Sequence, residues 1–177
     1  STSKVHTLDS NLVGALISTT MRTLTKEIRD KISPLEALKL LRRGNMRFVS
    51  NLKINRNLLQ QVNETQDGQH PFAVILSCID SRTGAELVFD QGLGDIFSIR
   101  IAGNVLNEDI LGSMEFACKV AGAKIIVVLG HTKCGAIKGA CEHVEMGNLT
   151  NLLKKINPAM AKTPHHGPVT MTYIDKV

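Results

Sequence analysis

The sequence predicts an α/β fold: a mainly parallel central sheet flanked by helices, with an N-terminal helical extension. Two observations carry that expectation. Three short runs, at 72–77, 96–101 and 124–129, are β-branched-rich and almost continuously apolar, as strands covered on both faces of a parallel sheet are. Helical patterns lie between and after them, at 84–89, 109–121 and 136–145, and strand–helix alternation builds a parallel sheet.

Ahead of the first strand, Ser33-Pro34-Leu35-Glu36 is a helix start. Ser is the cap, Pro suits the first turn, and Glu three residues on closes a capping box. Leu35, Leu38, Leu41 and Phe48 give this helix an apolar stripe to about Ser50, with Lys39, Arg42, Arg43 and Arg47 largely elsewhere. A weaker amphipathic helix is expected over 23–31. Residues 51–70 read as a polar connection with a turn at Asp67-Gly68. After about Asn157 the chain carries Pro158, Pro164 and Pro168, and irregular structure is expected.

This organisation divides the chain into an extension and helical arm, residues 1–32, and one domain, residues 33–177. The first residue is Ser, and the Ser/Thr-rich stretch 1–20 reads as a remnant, a processed leader's tail or a genuine extension, with Met21 a plausible start of the folded part. Its apolar core, Leu12-Val13-Gly14-Ala15-Leu16-Ile17, is too short for a complete signal segment.

Composition excludes several function classes. The 177 residues suffice for one domain with a hydrophobic core, and no apolar run approaches the roughly 18 residues of a membrane span. Aromatics are 3%, with no Trp and one Tyr, which argues against aromatic cages and stacking platforms for nucleic acid. The net charge of +5 is concentrated in residues 1–56, with 11 Lys/Arg against 4 Asp/Glu. Because those basic residues alternate with apolar ones, they read as a solvated helix face, and neither nucleic acid nor membrane is expected as a partner. Four cysteines are too few for a disulfide scaffold. Cys118 and Cys141 fall in apolar helical patterns and read as buried packing residues.

The other two cysteines belong to motifs. Cys78 lies in Ser77-Cys78-Ile79-Asp80-Ser81-Arg82, directly after the first strand. His131 and Cys134 lie in Gly130-His131-Thr132-Lys133-Cys134-Gly135-Ala136, directly after the third. Two thiolates and one imidazole are three ligands of a tetrahedral zinc ion, leaving a fourth position for water or for Asp80. The carboxyl ends of parallel strands are where open α/β sheets bind ligands. Asp80 and Arg82 can pair bidentately, which orients the carboxylate beside the open position. Singly, each residue has an ordinary structural reading: a buried small thiol, a capped turn with a surface ion pair, a turn histidine. Two such motifs after two apolar strands favour a mononuclear catalytic zinc site, one ion per subunit. Thiolate ligands favour a reducing compartment, so the cytoplasm is expected, with periplasm or organelle left open. Cys78 to Arg82 is too short for the Cys-x5-Arg phosphate cradle of a phosphatase.

Over roughly residues 33–157 the chain resembles the β-class carbonic anhydrases. Cys78-Ile79-Asp80-Ser81-Arg82 and His131-Thr132-Lys133-Cys134-Gly135 match that family's two signatures in order and spacing, and Arg100-Ile101-Ala102-Gly103-Asn104 matches the segment after its second strand. The resemblance implies that Cys78, His131 and Cys134 bind zinc and that Asp80 with Arg82 forms the catalytic dyad. It implies that Gln69 binds substrate or bicarbonate, that Phe97 and Phe116 form an apolar carbon dioxide pocket, and that Gly135 offers a backbone N–H to bicarbonate. Gln69 and the phenylalanines would face a partner subunit's zinc, in a homodimer or higher even oligomer. The bland readings are a turn glutamine and core phenylalanines.

The implied reaction is reversible hydration of carbon dioxide by zinc-hydroxide attack, zinc lowering the pKa of water from about 15.7 toward 7. Two thiolate ligands make that value higher than imidazoles would, so activity should rise with pH. His70 and His143 are the candidate proton shuttles. Some family members move the Asp onto zinc at low pH, and those with a regulatory bicarbonate site carry Trp three residues before the first Cys. Ile75 stands there, so that inhibitory site is not expected. Family chains usually continue with another helix and an edge strand, and nothing resembling them is read before Val177, so either a shortened chain or final elements outside this sequence are expected. The alternatives are a carbonyl sulfide or carbon disulfide hydrolase on the same zinc site, and a non-catalytic zinc-stabilised interaction domain.

Overall fold

The computed structural model describes residues 23–177; residues 1–22, with Met21 and the apolar stretch before it, lie outside the described residues. Thr25 caps helix α1 (Lys26–Lys31), and Ser33 caps α2 (Pro34–Val49). The capping box is complete: the Ser33 hydroxyl accepts the Glu36 N–H at 3.2 Å and the Glu36 carboxylate accepts the Ser33 N–H at 2.8 Å. The buried stripe of α2 is Ala37, Leu40, Leu41 and Gly44. Leu35, expected in the stripe, is 61% exposed, because it stands on the opposite side of the helix from these residues. Gly44 allows that contact: a Cβ there would stand 1.7 Å from the Phe89 carbonyl oxygen.

The connection over 51–70 contains a helix that the sequence did not announce, α3 (Leu58–Thr65), capped by Asn57. Its apolar residues Leu58, Leu59 and Val62 are exposed, and its one buried residue is Gln61, whose amide oxygen accepts the Leu93 N–H at 3.0 Å. What seats this helix is that amide and not its exposed apolar residues.

The three strands fall where expected: β1 (Ala73–Ser77), β2 (Ile96–Arg100) and β3 (Ile125–Leu129). They form one parallel sheet in the order β2-β1-β3, with Ser77 beside both Arg100 and Leu129. Between β1 and β2 lies α4 (Ala85–Val88); between β2 and β3 lies α5 (Glu108–Glu115), which widens into a π-turn (Phe116–Val120). One sheet face packs Ala73, Ile75 and Ile96 against Leu24, Ile32, Leu40 and Leu41. The other packs Val74, Phe97 and Ile99 against Ala117 and Cys118. Covering on both faces is complete only for β1: Ile126 and Val128 of β3 are 47% and 62% exposed, since the second layer spans β1 and β2.

After β3 come α6 (Gly135–Cys141), α7 (Gly147–Lys154), α8 (Asn157–Lys162) and α9 (Met171–Ile174). The tail is thus partly helical, not irregular. Pro158 sits in the first turn of α8, where a missing N–H costs nothing, so it begins a helix there. Val105, Ala140, Leu153 and Ile156 make a separate small core under these helices. Cys141 is buried as expected, whereas Cys118 is only partly buried, on the rim of the second sheet layer. No described helix is long and apolar enough to cross a membrane.

Candidate metal centre

β1 and β3 are hydrogen-bonded neighbours, so the segments leaving their carboxyl ends emerge side by side. Cys78 leaves β1 immediately after Ser77. His131 follows β3 by two residues, and Cys134 is the cap residue of α6. Their ligand atoms all lie within 4.8 Å of one another, and the two sulfurs are 3.9 Å apart. Two Zn–S bonds of about 2.3 Å at a tetrahedral angle would separate the sulfurs by about 3.8 Å.

The imidazole is oriented for the same purpose. His131 Nδ1 is 2.9 Å from the Thr132 carbonyl oxygen, which can only accept, so Nδ1 carries the proton. Nε2 is then a bare acceptor, buried and without a hydrogen-bond partner among the described residues. Two buried thiols with an unpaired imidazole nitrogen are a soft donor set suited to zinc.

Electrostatics agree with that donor set. Burial pushes the Cys78 thiol up, but the Gly103 N–H, His131 and the Asp80 N–H together bring it below the usual thiol value. Burial raises Cys134, and a nearby Cys78 thiolate raises it further. Two thiolates at this distance repel, and a cation between them relieves the repulsion. His131 is opposed by burial, yet Cys78 and the Thr132 carbonyl hold it above the ordinary imidazole value.

Asp80 stands beside the triad, its Oδ2 3.7 Å from His131 Nδ1. Arg82 grips it in a fork, Nε to Oδ1 at 3.0 Å and Nη2 to Oδ2 at 2.8 Å, and the Arg82 N–H adds a third bond at 2.9 Å. Led by the Arg82 side chain and then its N–H, these contacts hold the carboxyl far below the usual carboxylate range. Asp80 is therefore an oriented anion. A cleft of about 460 Å³ opens here, lined by Asp80, His131 and Gly135 together with Val144, Leu149 and Leu153.

Two further residues, whose roles the motifs alone do not reveal, hold this loop in place. Arg100 ends β2 beside Ser77 and donates from Nε to the Cys78 carbonyl (3.0 Å) and from Nη2 to the Asp80 carbonyl (2.6 Å). Gly103 donates its N–H to Cys78 Sγ at 3.4 Å. Its φ is +68°, and a Cβ would meet Ile156 Cδ1 at 3.0 Å and Ala136 Cβ at 3.2 Å, so both conformation and space call for glycine. The signal available for Arg100 was its place as a charged residue ending an apolar strand.

Of the remaining candidates, Gly135 lines the same cleft as Asp80 and His131, whereas Gln69, Phe97 and Phe116 lie elsewhere in the fold. Gln69 is exposed in the loop before β1. Phe97 and Phe116 meet edge to face, ring centres 6.4 Å apart, along a separate groove of about 630 Å³ with Ser98, Glu108 and Ser113. Phe116 is 54% exposed. Gly135 has open space around its Cα.

Comparison with known proteins points to one family. The family described as "Carbonic anhydrase" matches residues 73–173. A carbonic anhydrase of Mycolicibacterium smegmatis is 38% identical over 135 residues, covering 72% of this chain and 65% of that protein. Carbonic anhydrase 2 of Mycobacterium tuberculosis is 44% identical over 120 residues, covering 66% of this chain and 57% of that protein. The chain thus spans about 57 to 65% of the length of these curated relatives. Among solved structures, one of two tetrameric β-carbonic anhydrases from Sordaria macrospora superposes with a TM-score of 0.52 at 26% identity, covering 54% of this chain and 51% of that one.

Proposed function

The chain belongs to the β-class carbonic anhydrase family, and from that premise we propose that it hydrates carbon dioxide reversibly to bicarbonate and a proton at a zinc ion held by Cys78, His131 and Cys134. The convergence of the two sulfurs and the unpartnered His131 Nε2 on one point carries this reading. Zinc bound there would acidify a water molecule, so that a hydroxide nucleophile is available near neutral pH.

The chain's own residues supply the rest. Asp80, kept anionic by Arg82, accepts a hydrogen bond from the nucleophile and turns its lone pair toward the substrate carbon. Arg100 and Gly103 hold Cys78 and Asp80 against the end of β2 and the turn that follows it. Carbon dioxide is uncharged and a poor hydrogen-bonding partner, so an apolar surface suits it, whereas bicarbonate is suited by an N–H donor such as that of Gly135.

Gln69, Phe97 and Phe116 are remote from this subunit's own triad in the fold and leave exposed surface. They fit a role at the partner's metal in a dimer or higher even oligomer. Ile75 is wholly buried in the middle of β1, which supports the expectation of no regulatory bicarbonate pocket built on that position.

The test is stopped-flow carbon dioxide hydration by zinc-loaded protein from mildly acidic to alkaline pH. Hydration rising with pH and abolished with metal binding by Cys78→Ser is the expected result. Full zinc occupancy without hydration would reject the substrate, and assays on carbonyl sulfide and carbon disulfide would follow. A closed four-ligand site would point to a structural metal.

A further inference from the structure

The two residues between His131 and Cys134 contain a peptide unit that is tied on both sides. Its carbonyl, that of Thr132, accepts from His131 Nδ1 at 2.9 Å. Its N–H, that of Lys133, donates to Asp175 Oδ1 at 2.7 Å, across 42 residues of chain. Carboxylate, peptide and imidazole therefore form one line of hydrogen bonds ending at the buried, unpartnered Nε2. Lys133 itself adopts φ 56°, a left-handed conformation that a residue with a Cβ enters only when its surroundings hold it there.

The far end of the line is built to arrive. The Thr170 hydroxyl caps α9 by accepting the Tyr173 N–H, and Ile174, 3% exposed, anchors that helix. Asp175 is the next residue, delivered to the metal loop by the helix. Ile174 and Asp175 also share a cleft of about 510 Å³ with Asn104, His131 and Cys134.

We propose that Asp175 is a positioning residue for the metal centre, acting through the Thr132–Lys133 peptide. A carboxylate on the N–H polarises the peptide and strengthens its carbonyl as an acceptor. That carbonyl in turn fixes His131 as the tautomer with Nδ1 protonated and Nε2 free to ligate. Carboxylates that orient ligating histidines directly are a general device in metal sites, and here the contact is relayed through one backbone amide. This inference rests on the reading of Cys78, His131 and Cys134 as metal ligands.

The experiment measures zinc affinity by chelator competition and the ligand-field spectrum of the cobalt-substituted protein, for wild type, Asp175→Asn and Asp175→Ala. Thermal unfolding of the metal-free forms is followed in parallel. The expected result is graded: roughly tenfold weaker zinc binding in Asp175→Ala with altered cobalt bands, and an intermediate loss in Asp175→Asn, which keeps an acceptor but not its charge. Metal-free stability should not follow that grading. Wild-type affinity and spectrum in both variants would overturn the proposal. So would a loss that is equal in both and matches a fall in metal-free stability, which would make Asp175 a fold contact only. Should Asp175→Ala fail to fold, Asp175→Asn decides alone, weaker binding supporting the relay and unchanged binding ending it. Failure of the wild type itself to bind zinc would defeat the ligand assignment instead.

Discussion

Asp80 and Asp90 are both held by arginine, yet the two clusters are built for different ends. Asp80 meets Arg82 two residues away, on a turn where the guanidinium is 62% exposed. Asp90 meets Arg47 and Arg56, 43 and 34 residues away, and is only 3% exposed itself. It also accepts the Ile54 N–H, while its carbonyl accepts from both arginines, so one residue ties α2 and the segment before α3 to the end of α4. A local, solvated pair adds little stability but holds a carboxylate in one orientation. A buried, long-range cluster pins elements together, and losing one member leaves charge without compensation. The same chemistry thus orients a carboxylate in one place and ties the fold together in the other, and burial with sequence separation decides which.

The sharpest way to break that contrast is at Asp90. Asp90→Ala should cost about 3–5 kcal/mol, because two arginines lose their shared partner in a largely buried place. Urea denaturation reads this, and a cost within the error of the measurement would place the cluster among ordinary surface pairs. Asp80→Asn should do the reverse. Carbon dioxide hydration should fall roughly 10²-fold or more, while melting temperature and zinc affinity stay at wild-type values. A variant that melts early would move Asp80 to the structural side.

Acid unfolding sharpens the comparison further. Asp90 is opposed by burial, yet Arg47 and Arg56 hold its carboxyl below the ordinary 3.8. Its contribution to stability is therefore complete above the unfolded value and lost as pH falls below about 3.8 toward the folded one. Wild type should lose stability steeply over that window, and Asp90→Asn should show a shallower slope there. Parallel slopes would deny Asp90 this role. The smallest effect belongs to a purely local feature: Ser33→Ala removes the cap of α2 and should cost about 1 kcal/mol, with no change in zinc binding.

These regions were not equally legible beforehand. The strands could be read because continuous apolar runs of that length have few other uses, and the ends of β1, β2 and β3 differ from expectation by one residue or so. The start of α2 could be read because a capping box is a local pattern completed within four residues. Helix α3 could not, since it is anchored by the Gln61 amide on a loop more than 30 residues away. Pro158 was misleading because proline begins a helix as readily as it prevents one, and which applies depends on what packs around it. The exposed Ile126 and Val128 have the same cause: composition shows that a residue is apolar, not whether a layer reaches it.

Within the site, the ligand types and their attachment to two strand ends were written in the chain, because soft donors and short spacings are chemical facts of single segments. The tertiary structure decided that β1 and β3 are neighbours, which brings Cys78 within reach of His131 and Cys134. It also decided that Arg100, Gly103 and Asp175 brace the two ligand loops from distant parts of the chain. The reason is physical: a side chain's donors and acceptors are set by its covalent structure, whereas a partner is set by which backbone groups the packed sheet and helices bring within about 3 Å.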